Sequence, residues 1–118
     1  MAAVIACDIH PLNNLRVLRA LRRELDASDA QLLSWETRWI VEGFAALERL
    51  IGERDGAFCH GDRPTLADCC LIPQVYSALR FGVDLSPFGR ILAIDAHART
   101  LEPFAAAHPD RQPDAAGT

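Results

Sequence analysis

The chain has 118 residues, 50% of them hydrophobic and 24% charged, a globular composition that excludes a disordered chain and fits one domain. At this length a fold buries roughly two-thirds of the surface its unfolded chain exposes, enough for a core without cross-links. The net charge of −4 leaves no nucleic-acid footprint, and no apolar run approaches the ~18 residues that span a bilayer, so neither nucleic acid nor membrane is an expected partner.

The opening MAAVIAC is apolar and helix-compatible, too short and too uncharged for a secretory leader, and reads as the last turns of a helix. Pro11 interrupts it. The proline pushes His10 out of the α region and suits the first position of a new helix. That helix is expected to reach about Leu25, with Leu12, Leu15, Leu18, Leu21 and Leu25 in one apolar stripe and Arg16, Arg19 and Arg23 on another face. Ser28 and Gln31 have capping-box spacing and open the second helix. It sets Leu32, Trp35, Trp39, Gly43, Phe44, Leu47 and Ile51 along one broad side and stops at Gly52. Residues 53–63 read as a loop. Thr65, with Asp68 three residues on, starts the third helix; Pro73 lies inside it and is expected to kink it. Tyr76 sits one turn before Arg80 near its end. Ser86-Pro87 is expected to begin a fourth helix, and Leu101 to Ala107 a short fifth. The expected architecture is all-α, an antiparallel bundle of about five helices around a capped core helix, covering 1–108, with 109–118 as an extended tail.

Cys7, Cys59, Cys69 and Cys70 lack the spacing of a disulfide framework, and no C-x-x-C occurs. Reduced, partly buried thiols in a cytoplasmic protein are expected, and no metal site from Cys59, His60, Cys69 and Cys70.

Several motifs stand in an order that identifies a family. Gly61-Asp62-Arg63-Pro64-Thr65-Leu66-Ala67-Asp68 resembles the phrase that opens the core helix of the glutathione transferase C-terminal domain. The stretch Cys7 to Leu18, Gly43-Phe44-Ala45-Ala46-Leu47-Glu48, Ala67 to Val75, Val83 to Phe88 and His108 to Asp114 resemble the zeta class, the maleylacetoacetate and maleylpyruvate isomerases. The resemblance covers essentially the whole chain. It implies glutathione as cofactor and cis–trans isomerisation of a dicarboxylate substrate, by thiolate addition, rotation and elimination. It also implies that the thioredoxin-like domain carrying the thiolate-stabilising serine is absent from this chain, which alone is expected to be inactive. A separate thioredoxin-like domain and a second copy of the chain, paired through the first two long helices, are the partners it suggests. A non-catalytic interaction module is the alternative.

The resemblance also assigns residues. His10 falls where the family contacts glutathione, Arg80 where it pairs with a substrate carboxylate, and Arg16 at a second basic position. Asn14, in the first turn after Pro11, adds to a helix N-terminus that favours an anion. Arginine suits such a substrate because its fork binds carboxylate through two hydrogen bonds and stays charged. Thr65 and Asp68 are structural caps. Without the resemblance, Arg80 is a helix-end charge, Arg16 part of a solvated stripe, and His10 a cap or surface residue.

Overall fold

Local capping chemistry decides where each helix starts in the computed structural model, which describes residues 1–52 and 55–115. Glu53 and Arg54, at the start of the expected loop, and residues 116–118 of the expected tail lie outside the described residues. The five α-helices are α1 (Leu15–Leu25), α2 (Asp29–Ile51), α3 (Leu66–Arg80), α4 (Gly89–Ala98) and α5 (Glu102–Ala106), with no strand among the described residues.

The chain enters through a π-helical segment, Val4–Ile9, and a 3₁₀ turn, His10–Asn13, that carries Pro11. The sequence predicts one continuous helix from Pro11; instead Asn14 takes an extended conformation and caps α1, its Oδ1 accepting the Arg16 N–H at 3.1 Å. Asparagine is among the strongest N-caps, so the helix begins after it and not at the proline. Asp26, left-handed at φ 53°, ends α1. The Ser28 box forms as its spacing predicts, Gln31 N–H donating to Ser28 Oγ and Ser28 N–H to Gln31 Oε1.

The buried row of α2 is Leu32, Glu36, Ile40, Phe44, Leu47 and Ile51; it keeps Leu32, Phe44, Leu47 and Ile51 of the expected side and has Glu36 and Ile40 where the spacing predicts Trp35 and Trp39. The tryptophans flank it. The Trp35 indole donates to the Leu12 carbonyl at 2.9 Å and meets Trp39 edge to face. Gly43 lets the entry segment close on α2: a Cβ there would lie 2.3 Å from Ile9 Cγ1.

The central helix is α3. Leu71, Val75 and Ala78 are fully buried and share one core with Ile40, Phe44 and Leu47 of α2, Ile91 and Ile94 of α4, and Ile5 and Ile9 of the entry segment. The helix runs on through Pro73 to Arg80. Its start is fastened by Asp68, 0% exposed. The carboxylate accepts from Thr65 N–H and Thr65 Oγ at 2.8 and 2.7 Å, and from the Cys59 N–H of the preceding loop at 2.8 Å.

The fourth helix starts at Gly89 and not at Ser86. Asp84 holds Ser86 in a local turn through the Ser86 N–H and hydroxyl. The free N–H groups at the head of α4 go to a partner far back in the chain: Glu48 of α2 accepts from Arg90 N–H at 2.7 Å and Ile91 N–H at 3.0 Å. The tail is not extended where it is described. Pro109–Arg111 form a 3₁₀ turn, docked on α3 by the Tyr76 hydroxyl donating to Asp110 and on α5 by Gln112 donating to the Ala106 carbonyl.

Candidate functional site

Tyr76 and Arg80 are one turn apart, so they share a face of α3. The Arg80 guanidinium lies 5.9 Å from the Tyr76 ring centroid, a cation–π distance, and is otherwise exposed. The hydrogen bond from Tyr76 to Asp110, and then burial, hold the Tyr76 hydroxyl above its usual pKa. The His108 ring meets the other side of Tyr76 edge to face at 5.2 Å.

Toward the N-terminus of α3, the same face forms one wall of an open cleft of about 690 Å³, within the size range of small-molecule sites. Ile72, Pro73 and Tyr76 line that wall, and Leu101, Pro103 and Phe104 line the other. Arg99, His108 and Arg111 also contribute to its lining. Arg99 is held in place by Asp95, Nε to Oδ2 at 2.7 Å. The arrangement is a mainly apolar trough with two arginines in its lining, which suits a molecule or a surface that is part apolar and part anionic.

The remaining expected residues lie on the entry segment and α1. His10 is exposed at the start of the 3₁₀ turn. Asn14 and Arg16 are brought together, but through the Arg16 backbone N–H; the Arg16 side chain is exposed. Beside them the Asn13 amide is buried with no hydrogen-bond partner for either its oxygen or its nitrogen. Among the described residues, no hydrogen bond, ion pair or shared cleft joins Arg80 to His10, Asn14 or Arg16.

Thr65 and Asp68 come together as spaced, with Cys59 added. Burial raises the Asp68 carboxyl, but the bonds from Cys59 and Thr65 outweigh it and hold the group below the usual carboxylate range. Burial and the adjacent Asp68 charge push the Cys59 thiol up to about 12. Cys7 and Cys69 are exposed. No three His, Cys, Asp or Glu among the described residues are grouped to hold a metal ion.

Sequence reasoning missed Arg99, His108 and Arg111 as cleft residues. The first has no motif around it. The other two belong to a proline-rich segment whose docking depends on Tyr76, 34 positions from Asp110.

The family of the glutathione S-transferase C-terminal domain matches residues 15–110. The maleylpyruvate isomerase of Ralstonia sp is 48% identical over 118 residues, a match that takes in 98% of this chain and 56% of that one. A holo maleylpyruvate isomerase described as a bacterial glutathione transferase of the zeta class superposes with a TM-score of 0.92 at 48% identity, over 96% of this chain and 54% of that one. A maleylacetoacetate isomerase from Anaeromyxobacter dehalogenans, solved with dicarboxyethyl glutathione and citrate in its active site, gives 0.89 at 45% identity, over 97% and 50%. The chain thus spans about half the length of the relatives it matches. With the family domain matched over residues 15–110 and a close structural likeness to a zeta-class enzyme, the chain belongs to the zeta-class glutathione S-transferases, its matched residues corresponding to their helical C-terminal domain.

Proposed function

We propose that this chain forms the substrate-facing part of a glutathione-dependent isomerase that converts a cis-unsaturated dicarboxylate, maleylacetoacetate or maleylpyruvate, to its trans isomer. The observation that carries the reading is Arg80, an exposed guanidinium with no carboxylate partner among the described residues, set over Tyr76 beside an apolar cleft. A relative binds dicarboxyethyl glutathione and citrate in its active site, which supports an anionic ligand here.

In this reading Arg80 grips one substrate carboxylate through its two-pronged fork and orients the double bond. Arg16 supplies a second positive charge. Glutathione, when bound, would supply a thiol that adds across the double bond, leaving a single bond that can rotate, and is eliminated again to give the trans product. Near the 3₁₀ turn, exposed His10 offers a hydrogen-bonding ring to that anionic tripeptide. Asn14 has already committed its side-chain oxygen to α1, so its amide nitrogen is the atom left for a ligand.

Binding of glutathione and activation of its thiol fall to a thioredoxin-like domain, and the isolated chain is inactive without one. The working unit contains two copies of the chain, and the setting is the cytoplasm, in keeping with four free thiols. No helix among the described residues is long and apolar enough to cross a membrane.

The test is a chimera that joins this chain to the remainder of the Ralstonia isomerase, assayed with glutathione and maleylpyruvate. Glutathione-dependent turnover is expected from the chimera and none from the chain alone. A folded chimera that binds glutathione yet leaves both dicarboxylates unchanged would overturn the reading.

A further inference from the structure

The turn Pro109–Arg111 is pinned to the domain from several sides. Gln112, which follows it, donates to the carbonyls of Ala106 and His108 at 2.9 and 3.0 Å. Arg99, itself fixed by Asp95, meets His108 Nε2 at 3.5 Å. From this platform Asp110 accepts the Tyr76 hydroxyl at 3.0 Å, and the His108 ring packs edge to face on Tyr76. The half-buried Tyr76 ring is therefore held at its hydroxyl and at a second point.

Arg80 is held only through that ring. Its guanidinium lies 5.9 Å from the ring centroid, and among the described residues it makes no hydrogen bond or ion pair. Asp110 and Arg80 thus attend the same ring without pairing directly. A direct carboxylate pair would occupy the fork with which a guanidinium binds an anion. Attachment through the ring leaves every N–H of Arg80 available and still limits where the side chain can go. A carboxylate bonded to the phenol also makes the ring face more electron-rich, which strengthens its attraction for the cation.

We propose that Asp110 is a positioning residue: through Tyr76 it holds the Arg80 guanidinium ready for a substrate carboxylate without neutralising it. The inference rests on the reading of Arg80 as the carboxylate grip. Asp110 touches no substrate in this arrangement. Its contribution is preorganisation, since a long side chain already restricted before its ligand arrives loses less freedom on binding.

Two measurements test it. Tyr76 is the only tyrosine of the chain, so an alkaline absorbance titration of the chain alone reads this one hydroxyl. Asp110 is 73% exposed, so its variants are expected to fold. Asp110→Ala is expected to move the tyrosine midpoint down from the wild-type value, toward about 10; identical curves overturn the proposal whatever the activity. The second measurement is kinetic, in the chimera with the Ralstonia isomerase. Asp110→Ala and Tyr76→Phe are each expected to raise KM for maleylpyruvate about threefold to tenfold, the effect of one hydrogen bond, with kcat and KM for glutathione nearly unchanged. Asp110→Asn, which keeps an acceptor for the hydroxyl, should recover most of the loss. In an Arg80→Ala background, Asp110→Ala should change nothing further, because its effect passes through Arg80. A merely structural role would instead add to the loss from Arg80→Ala or raise both KM values, and either result overturns the proposal. Wild-type kinetics for Asp110→Ala and Tyr76→Phe beside an impaired Arg80→Ala remove the positioning role and leave Arg80 as the grip. Wild-type kinetics for Arg80→Ala itself remove the reading on which the proposal rests.

Discussion

Replacing Asp68 by alanine tests the fastening of the central helix. The carboxylate is fully buried and accepts three hydrogen bonds, two of them from backbone N–H groups of Cys59 and Thr65. Asp68→Ala strands both donors, one in the core and one partly covered. An unsatisfied buried donor costs about 1–3 kcal/mol, so the pair brings a loss of about 3–5 kcal/mol. For a domain of this size each kcal/mol moves the melting midpoint by about 4 °C, which makes the expected fall about 12–20 °C. The pH dependence gives a second readout. The folded carboxyl lies below its unfolded value of about 3.9. Its contribution is therefore complete above that value and is lost as pH falls through the depressed folded one. Asp68→Asn preserves the shape and removes the proton linkage, so its acid limb should be shallower than that of the wild type. Thermal melts of the three proteins from neutral pH into acid measure both effects. An unchanged midpoint for Asp68→Ala, or identical acid limbs for wild type and Asp68→Asn, would refute the claim that this carboxylate ties the loop to α3.

Glu48→Ala removes both acceptors at the head of α4 and should cost about 1–2 kcal/mol by chemical denaturation, although Glu48 lies on a different helix. Gly43→Ala drives a methyl group into Ile9 and should cost about 1–3 kcal/mol by overpacking; an unchanged denaturation midpoint would show that the entry segment shifts freely. Cys59, with its thiol held at about 12 and its side chain 1% exposed, should resist a thiol reagent at mild pH while Cys7 and Cys69 react. Its raised value also means that its stabilising contribution is intact below the unfolded thiol value of about 8.5 and fades as pH rises toward the folded one, so Cys59→Ala should have a flatter alkaline limb. In the chimeric isomerase, Arg80→Ala should lose about 2–5 kcal/mol of transition-state binding, and Arg80→Lys should recover only part of it, read as kcat/KM; kinetics equal to wild type would reduce Arg80 to a helix-end charge.

The features legible in the sequence are those whose partners lie within a turn of one another. Ser28 with Gln31 and Thr65 with Asp68 are three residues apart, so the chemistry of the pair is complete in a short window. Tyr76 and Arg80 share a face by helical spacing alone. The start of α4 was hidden because its cap comes from Glu48, 42 positions before Arg90. The start of α1 was misread because Pro11 and Asn14 both give helix-start signals, and only the backbone shows that the first governs a 3₁₀ turn. On α2, period counting favoured the large aromatics Trp35 and Trp39, and so passed over Ile40 and Glu36, the residues that face inward. The cleft was illegible for a related reason. Its second wall belongs to α5 and the last turn, whose position depends on Tyr76 reaching Asp110 across the fold.

The polar residues of this chain divide into two groups by how their charge is used. Asp68 and Glu48 spend their oxygens on backbone N–H groups at helix starts, where a carboxylate also meets the positive end of the helix dipole. Their loss is a loss of fold. Arg16, Arg19 and Arg80 spend little on the domain: each is exposed, none bonds a carboxylate among the described residues, and Arg80 meets only the Tyr76 ring face. An exposed guanidinium adds little to stability, so substituting any of the three should leave the melting midpoint nearly unchanged. Loss of ligand binding in Arg80→Ala with that midpoint retained therefore reports on function directly. The reverse pattern, a lowered midpoint with binding preserved, would assign these arginines to the scaffold after all.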